Sequence, residues 1–428
     1  MHLLNRLINL ARVFLEGRGL PFLGAGVSIG AETLVHPDLK PNVGWMIQQV
    51  IQEVMKRRSS ELLSDQEQQH QLFAMLGEEN HVHVNLSKPL KNRLHECVNY
   101  RMGKLCEAVD TLDLLSHRDI VVEAMRIHQF ATLEPTKAHR YIACLAREAL
   151  INEVITTNYD CCMEKAVLQA AGQEGNGAPP LDGKVKPSIS IANLENYRRY
   201  SARRLELGRR IAILRVYKIN GCAGSLNDLL TRDPSQYPED NILLTEKQLQ
   251  HIDDRTWARD LIKDRFRSRA FVFSGFGSDE PQVRFTILRL LEEFNENGSA
   301  GDLANSIWLH LYDRELSFPQ RQIMHGFWET GEQVDDHRFS AKDCETLKSL
   351  GSDLADCSGN GLTADTFWML LFCVVFLAIQ EQRRDNISDD FFATLEEPYR
   401  QQARSMFSDW CDPVRIGAAV LDDDFLDI

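Results

Sequence analysis

Several short apolar segments of this chain run directly into turns that are rich in glycine or in polar side chains. The segments are strand-like, and the residues between them are helix-like or loop-like. Strands that alternate with helices predict a mostly parallel sheet, and ligands of such sheets bind at the carboxyl ends of the strands. The strand-like segments are residues 20–23, 153–157, 211–219, 270–274 and 306–311. The pattern therefore predicts an α/β fold, a Rossmann-like doubly wound parallel sheet with a polar crevice at one edge.

The helix-like segments predict how the rest of the chain is arranged around this sheet. Residues 1–312 hold all the strand-like segments, and a helical insertion is expected at about residues 45–134. Residues 313–428 are predicted to form a C-terminal helical region. That region contains an apolar run of thirteen residues at 367–379, shorter than the ~20 residues that a membrane span needs. We expect this run to be a buried helix or a helix at a subunit interface, and no association with a membrane.

Charge and cysteine usage exclude some classes of protein. The formal net charge of -14 argues against a protein whose main surface binds nucleic acid, because phosphate binding depends on an excess of Lys and Arg. Seven arginines between residues 198 and 215 leave local nucleic-acid binding open, although such runs more often form a solvated helix face. The ten cysteines form no CxxC pair, so neither a disulfide framework nor zinc-ligand spacing is present. With no signal-peptide pattern at the start of the chain, we expect a reduced, cytoplasmic setting.

The turns after the predicted strands carry the candidate site residues. Gly24, Ala25, Gly26 and Ser28 follow the first strand, and glycine lets backbone amides approach a phosphate closely. A tight strand-to-helix turn also needs glycine when no ligand is present, so this motif alone decides nothing. In the sequence ITTNYD at 155–160, the asparagine could contact a ligand or cap the following helix. The convergence of four such strand ends on one crevice favours a ligand site.

Together these motifs resemble the SIR2-like (sirtuin-superfamily) NAD-binding domains over residues 15–312, most closely those of bacterial anti-phage defence systems. GAGVS at 24–28 is similar to the GAG-x-S loop that contacts the NAD diphosphate, and TTNYD at 156–160 to T-[TQ]-N-x-D. PTKAH at 135–139 is similar to a Pro-x-x-x-His element of mostly structural role, and SGFGSD at 274–279 to a late loop on the adenosine side. The resemblance implies that the diphosphate is held by Gly24, Ala25, Gly26 and Ser28. It also implies that Thr157 and Asn158 contact the ribose and water, with Asp160 behind them. On the adenosine side, it implies that Gly275 and Asp279 line the site.

One position departs from the family pattern. Where the family has Lys-[LI]-His-Gly, this chain has Lys218-Ile219-Asn220-Gly221. Asparagine forms hydrogen bonds but cannot take up a proton near neutral pH. General-base catalysis contributes roughly 10²–10⁴-fold to a rate. We therefore expect NAD binding to survive at Asn220 while base-assisted chemistry is slowed, lost, or supported by a histidine from residues 70–139.

The resemblance implies an NAD hydrolase that cleaves NAD to nicotinamide and ADP-ribose and depletes NAD when a defence system is triggered. NAD is then the substrate, and no metal is expected, because the paired cysteines of the sirtuin zinc ribbon are absent. The alternative is a non-catalytic subunit that binds NAD or ADP-ribose and serves as a scaffold, which Asn220 favours. A homo-oligomer and a partner such as a HerA-like ATPase or a nuclease are further expectations from the family.

Overall fold

The computed structural model describes the protein in segments, and all structural statements below concern these residues. The longer segments are residues 3–76, 102–115, 118–171, 187–200, 214–232, 242–245, 256–277, 280–296, 307–311, 320–323, 337–349 and 362–386. Residues 89, 91–92, 94, 98, 206–207, 211–212, 248 and 325 are also described. Asp279, the run 387–428 and the loop 172–186 lie outside them, as do the expectations placed there.

Seven parallel strands form one sheet in the order β3-β6-β2-β1-β7-β8-β9. Two further strands, β4 and β5, form a separate antiparallel ribbon. The strands are β1 Gly19–Leu23, β2 Glu153–Thr156, β3 Ser188–Ile191, β4 Glu206–Leu207, β5 Ile211–Ala212, β6 Leu214–Lys218, β7 Ala270–Ser274, β8 Ile307–His310 and β9 Arg338–Phe339. The predicted α/β fold with a Rossmann-like parallel sheet is therefore confirmed.

The central strands are buried because helices cover both faces of the sheet. Every residue of β1 and β7 is buried. Phe22 packs against Phe273 and Phe276 with ring centroids 5.0 and 4.8 Å apart. Along the carboxyl edge, Leu23 pairs with both Thr156 and Ser274. This register brings the turns after β1, β2 and β7 to the same edge.

Helices form a layer on each face of the sheet and a separate unit beside it. One face is covered by Leu3–Leu15, Lys137–Arg147, Cys162–Ala170 and Ala364–Asn386, and the other by Thr256–Ser268 and Pro281–Glu296. A further apolar cluster joins Val43–Ser64, Gln66–Met75, Met102–Thr111, Arg118–Ala124, the 3-10 helix Ile127–Thr132 and Ala223–Arg232. Leu194–Tyr200, Ala341–Ser349 and the 3-10 helix Ala25–Ser28 after β1 are further helices. The region predicted as an insertion is thus helical where it is described.

The strand predictions from the sequence need correction in two respects. The pattern predicts one strand over residues 211–219, but β5 pairs with β4 while β6 pairs with β2 and β3. The pattern also does not indicate β3, β4 or β9. Of these, β3 and β9 have four and two residues, and each pairs with a single neighbour at the edge of the main sheet. Strands this short form because they pair with a neighbouring strand, so the local sequence pattern does not predict them.

The apolar run 367–379 lies in the helix Ala364–Asn386, which packs on the same face of the sheet as the first helix of the chain. Phe367 and Trp368 are fully buried, which confirms the interpretation as a buried helix. Trp368 donates a hydrogen bond from Nε1 to Ser274 Oγ at 3.1 Å. In the part of the chain that the structure describes, no helix combines the length and the apolarity needed to cross a membrane.

The cysteines differ in one respect from the expectation of a fully reduced set. Six of the described cysteines are free thiols: Cys106, Cys144, Cys161, Cys162, Cys222 and Cys373. Cys344 is disulfide-bonded. Spacing along the chain could not predict this bond, because the fold decides which cysteines come close enough to pair.

His310, at the end of β8, provides a test of how the helix Ala364–Asn386 packs on the sheet. Its ring stacks on Phe367, Nδ1 lies 2.9 Å from Ser274 Oγ, and Nε2 lies 2.7 Å from the Leu362 carbonyl oxygen. Burial lowers the pKa of His310 to about 4 despite the hydrogen bond to Leu362, which acts to raise it. Between pH 6.5 and 4 the unfolded chain therefore binds a proton that the folded protein does not, and stability falls as the pH falls.

We predict that His310→Gln, which keeps an amide donor but does not titrate, reduces this acid sensitivity. Between pH 7 and pH 5 the variant should lose about 2 kcal/mol less free energy of unfolding than the wild type. Urea denaturation at the two pH values measures this difference. Equal losses for both proteins would show that His310 is not held neutral by the fold.

Candidate functional site

The four predicted strand ends meet at one edge of the sheet through backbone hydrogen bonds. The amide of Gly24 donates to the Ser274 carbonyl at 3.0 Å, and that of Thr157 to the Leu23 carbonyl at 3.1 Å. The turn after β6 joins the same edge, because the Ile219 amide donates to the Thr156 carbonyl at 3.1 Å. The structure therefore places the turns that carry Gly24–Ser28, Asn158, Asn220 and Gly275 side by side.

The glycines of the first and last of these turns are in direct contact. The Gly26 amide donates to the Gly275 carbonyl at 2.9 Å. A Cβ atom on Gly24 would lie 2.4 Å from the Gly275 oxygen, and one on Gly275 would lie 2.4 Å from the Val27 nitrogen. Gly275 also has φ +62°, in the left-handed region. This loop-to-loop contact requires glycine whether or not a phosphate binds, while Ala25 and Gly26 remain partly exposed beside it.

Asn158 is held by a chain of hydrogen bonds that begins at a carboxylate. Ser28 Oγ donates to Asp160 Oδ2 at 2.7 Å, and Asn158 Nδ2 donates to Ser28 Oγ and to the Gly24 carbonyl oxygen, each at 3.0 Å. All three side chains are buried, and Asn158 is 9% exposed. We call Asp160, Ser28 and Asn158 the relay. It links the turn after β1 to the turn after β2.

The relay fixes which atom of Asn158 faces outward. A carbonyl oxygen only accepts hydrogen bonds, so the atom next to Gly24 must be the amide nitrogen. Ser28 donates its hydroxyl hydrogen to the Asp160 carboxylate, so its oxygen can only accept the hydrogen bond from Asn158 Nδ2. With both amide hydrogens used inside the protein, Oδ1 is the atom of Asn158 that remains for a ligand, as an acceptor.

Asp160 is charged although it is buried. Burial acts to raise its pKa, but the Lys218 ammonium and the hydrogen bonds from Ser28 and from the Cys162 amide lower it below the ordinary value. The Cys162 amide lies 3.0 Å from Asp160 Oδ1. This bond also satisfies an amide at the start of the helix Cys162–Ala170. Asp160 thus both accepts from the first amide of this helix and forms the charged end of the relay.

Lys218 connects the relay to β6. Only 1% of its side chain is exposed, and Nζ donates to the backbone carbonyl of Asp160. The same Nζ lies 3.3 Å from Glu164 Oε1. Burial alone would lower the pKa of Lys218, yet the surrounding negative groups, Glu164 first, raise it well above the ordinary value. The sequence motif contains this lysine, but its role as the counter-charge of the site appears only in the fold.

Asn220 is buried in the turn after β6, beside the segment 242–245. The backbone carbonyl oxygen of Asn220 accepts a hydrogen bond from the Leu243 amide at 2.9 Å. The backbone carbonyl of Leu243 in turn accepts one from the Tyr159 hydroxyl at 2.7 Å. These bonds hold the turns after β2 and β6 together. The position of the expected histidine is therefore part of the site, but its side chain offers hydrogen bonds and no titratable proton.

His139 lies behind the relay. Its Nδ1 is 2.8 Å from Thr136 Oγ1, and Thr136 donates to the Val27 carbonyl at 3.0 Å. Burial lowers the pKa of His139 to about 4, although the Asp160 charge acts to raise it. It is therefore neutral at pH 7 and supports the turn after β1, as its structural role in the sequence motif implied. His70 is exposed on a helix of the insertion, and His128 is partly buried.

The loop-to-loop contact predicts a difference between two glycines. Gly17 and Gly275 both have positive φ, +68° and +62°, but an added Cβ meets nothing within 4 Å at Gly17. We predict that Gly17→Ala costs only the backbone strain of roughly 1–2 kcal/mol. Gly275→Ala should cost about 3 kcal/mol or more, because the new methyl group also meets backbone atoms.

Urea denaturation of the two variants measures this difference. Similar losses of stability in both would show that the two turns are not in close contact.

Comparison with known families adds evidence on the evolutionary relationship. A family model described as "SIR2-like domain" matches residues 152–330. This range includes Asn158, Asp160, Asn220 and Gly275, whereas the glycine turn at 24–28 precedes it. No curated protein matches the chain. SIR2-like domains bind NAD, so the match indicates an NAD-related function. Over residues 152–330 the chain is similar to the SIR2-like superfamily, as its Rossmann-like sheet and the relay at its carboxyl edge lead one to expect.

Proposed function

We propose that this protein cleaves the nicotinamide–ribose bond of NAD, with Asn158 as the residue that contacts the ribose and the attacking water. The observation that carries the proposal is the orientation of Asn158, whose Nδ2 is bound to Gly24 and Ser28. An asparagine that merely capped a helix would not need both amide hydrogens fixed. Here Asp160 accepts from the first helix amide instead, and Asn158 presents an acceptor to the crevice.

The residues at this edge fit NAD as a substrate. Ribose hydroxyls and water need neutral acceptors and donors, which Asn158, Thr157 and Asn220 provide from buried positions. A diphosphate needs backbone amides at close range, and the partly exposed Ala25 and Gly26 lie on the turn that packs against Gly275. Asp279, expected on the adenosine side, lies outside the described residues.

Cleavage of the glycosidic bond develops positive charge on the ribose, and groups of negative potential stabilise that charge. Asn158 Oδ1 is the negative end of an amide dipole that the protein has already oriented, so no reorganisation is needed during the reaction. The charge on Asp160 reinforces this orientation through Ser28. Oδ1 also accepts a hydrogen bond from water, which places the water oxygen for attack.

Asn220 favours a second candidate, a subunit that binds NAD or ADP-ribose without turning it over. The buried amide takes the place of the family's histidine, and His139 cannot replace that base because its ring supports the turn behind the relay. In this second function, NAD or ADP-ribose bound in the crevice supports assembly of the defence complex and is not cleaved. The wider setting that we propose for either function is bacterial anti-phage defence, in a homo-oligomer with a HerA-like ATPase or another defence protein as partner.

We predict that Asn158→Ala lowers the rate of nicotinamide release by about 10²-fold or more, since it removes a pre-oriented acceptor. Nicotinamide is quantified by chromatography after incubation of the purified chain with NAD, alone and with the product of a neighbouring gene. The matched control is Asn227→Ala, an exposed asparagine on the helix Ala223–Arg232. Circular dichroism checks that both variants are folded.

The outcomes separate the two functions. Turnover that survives in Asn158→Ala would remove this residue from the site. Calorimetric binding of NAD without nicotinamide release, under any activating condition, would favour the scaffold. The absence of both binding and turnover would contradict both functions.

We predict that Asn220→His increases turnover by up to about 10²-fold, because it restores a group that can take up a proton. The increase should appear only above the pKa of the new histidine, ordinarily about 6.5. The pH dependence of nicotinamide release from pH 5.5 to 8.5 measures this effect, with wild-type protein as the flat reference. An unchanged profile would mean that catalysis in this protein needs no base at position 220.

A further inference from the structure

Two cysteines meet behind the proposed crevice, one from each of two turns. Cys161 directly follows Asp160 in the turn after β2, and Cys222 lies two residues after Asn220 in the turn after β6. Their Sγ atoms and a carboxylate oxygen of Glu164 all lie within 4.8 Å of one another. Residues 61 positions apart in the sequence are thus within reach of a covalent bond.

Cys222 has the surroundings of a reactive thiolate. Its sulfur lies within 4.8 Å of the Cys161 sulfur. Cys222 also directly precedes the helix Ala223–Arg232, whose amino terminus favours negative charge. The neighbouring Cys161 thiol, followed by the Lys218 ammonium, lowers the pKa of Cys222 well below its ordinary value, against the effect of burial.

The other free cysteines are in different surroundings. Burial raises the pKa of Cys162 and Cys144, and it raises that of Cys373 to about 11. Cys373 is partly exposed, as Cys161 is, but lies on the long C-terminal helix. Among the described cysteines, Cys222 combines a lowered pKa with a neighbouring thiol. Its neighbour Cys161 is the protonated partner, because the contact with Cys222 and then burial raise the pKa of Cys161 well above its ordinary value.

The pair does not suit a metal cation. Cys161, Glu164 and Cys222 have suitable donor atoms, but the Lys218 ammonium lies 3.3 Å from Glu164 Oε1 and already supplies the positive charge. A metal ion next to it would be repelled. Thiolate chemistry, by contrast, is promoted by a neighbouring ammonium.

Gly224 leaves space for the two sulfurs to move together. A Cβ atom at this position would lie 2.9 Å from Cys161 Sγ and 3.7 Å from Cys222 Sγ. A disulfide needs an S–S distance of about 2.05 Å, which requires side-chain rotation. Cys161 is partly exposed, so a small oxidant can approach the pair from that side.

We propose that Cys161 and Cys222 are a redox pair that hydroperoxides convert into a disulfide and that a dithiol reductant converts back into two thiols by thiol–disulfide exchange. The Cys222 thiolate attacks one oxygen of hydrogen peroxide, the O–O bond breaks, and the leaving hydroxide takes a proton to become water. Cys222 is now a sulfenic acid. Cys161 then attacks the Cys222 sulfur, the S–S bond forms, and the displaced hydroxide takes the Cys161 proton. Both sulfurs are oxidised by one electron each, and both peroxide oxygens are reduced to water.

The disulfide would join the two turns that carry Asn158 and Asn220. These turns are already linked by the Ala223 amide, which donates to the Tyr159 carbonyl at 2.8 Å. A covalent bond would fix their separation at a point three residues from Asn158. The chemistry of the pair does not depend on the proposed function, so each can fail without the other.

The test is peptide mapping of the reduced full-length chain after treatment with equimolar hydrogen peroxide at pH 7. We expect a peptide that joins Cys161 to Cys222, which disappears with dithiothreitol. Cys222 should lose its thiol about tenfold or more faster than Cys373. In Cys161→Ser the reaction should stop at a Cys222 sulfenic acid, which dimedone traps. Cys373→Ser is the matched control and should form the linked peptide as the wild type does.

Two results would overturn the proposal. One is oxidation of Cys222 no faster than that of Cys373 in the wild-type protein, a comparison that needs no variant to fold. The other is a stoichiometric metal ion, found by elemental analysis, whose removal is needed before either thiol reacts. Nicotinamide release by the oxidised and reduced forms, measured in parallel, reports whether the bond also affects the crevice.

Discussion

The buried carboxylate of Asp160 is the interaction on which the site depends. It accepts from Ser28 in the turn after β1 and from the amide of Cys162 at the start of a helix, while Lys218 from β6 binds the carbonyl of the same residue. A buried charge is costly unless it is paired and hydrogen-bonded. Because every one of these partners comes from a different element, the protein can satisfy Asp160 only when the three turns are assembled. The orientation of Asn158 follows from this assembly, because Ser28 donates to Asp160 and therefore accepts from Asn158.

Close packing of backbone supports the same edge from the other side. Gly24 and Gly26 contact Gly275, and Phe22, Phe273 and Phe276 fill the space beneath this contact. The helix Ala364–Asn386 contributes from far away in the sequence. Asp365 accepts from the Ala138 amide at 2.7 Å, and Trp368 binds Ser274 at the end of β7. The polar crevice therefore rests on an apolar frame that includes residues nearly 350 positions from the first glycine turn.

The turns after β2 and β6 combine two kinds of chemistry within a few residues. Asn158 and Asn220 are neutral, buried amides, while Cys161, Cys222 and Lys218 lie in a polar cluster on the same two turns. Lys218 serves both sets of residues, since its charge lowers the pKa of Asp160 and that of Cys222. In place of a titratable histidine, position 220 has an amide, and a pair of thiols lies close by.

The amino-acid sequence by itself determined the α/β class, the parallel sheet and the turns that hold the candidate residues. Alternating apolar strands and helices carry that information, and the turns at 24–28, 156–160 and 218–221 are local in sequence. The match to the SIR2-like domain over residues 152–330 agrees with what these motifs suggested. Short edge strands, the split of 211–219 and the disulfide at Cys344 were missed, because each depends on pairing in the folded chain that the local pattern does not show.

Only the tertiary structure decided what the candidate residues do to one another. It showed that Asp160 faces Ser28 and the helix start, and that both amide hydrogens of Asn158 are used by Gly24 and Ser28, which leaves Oδ1 as an acceptor. It also showed that the glycines are required by contact between two turns, and that Cys161 meets Cys222. Hydrogen-bond direction, burial and the proximity of distant residues are properties of the packed chain. The sequence pattern identifies the participants, and the fold fixes their orientation, charge and separation.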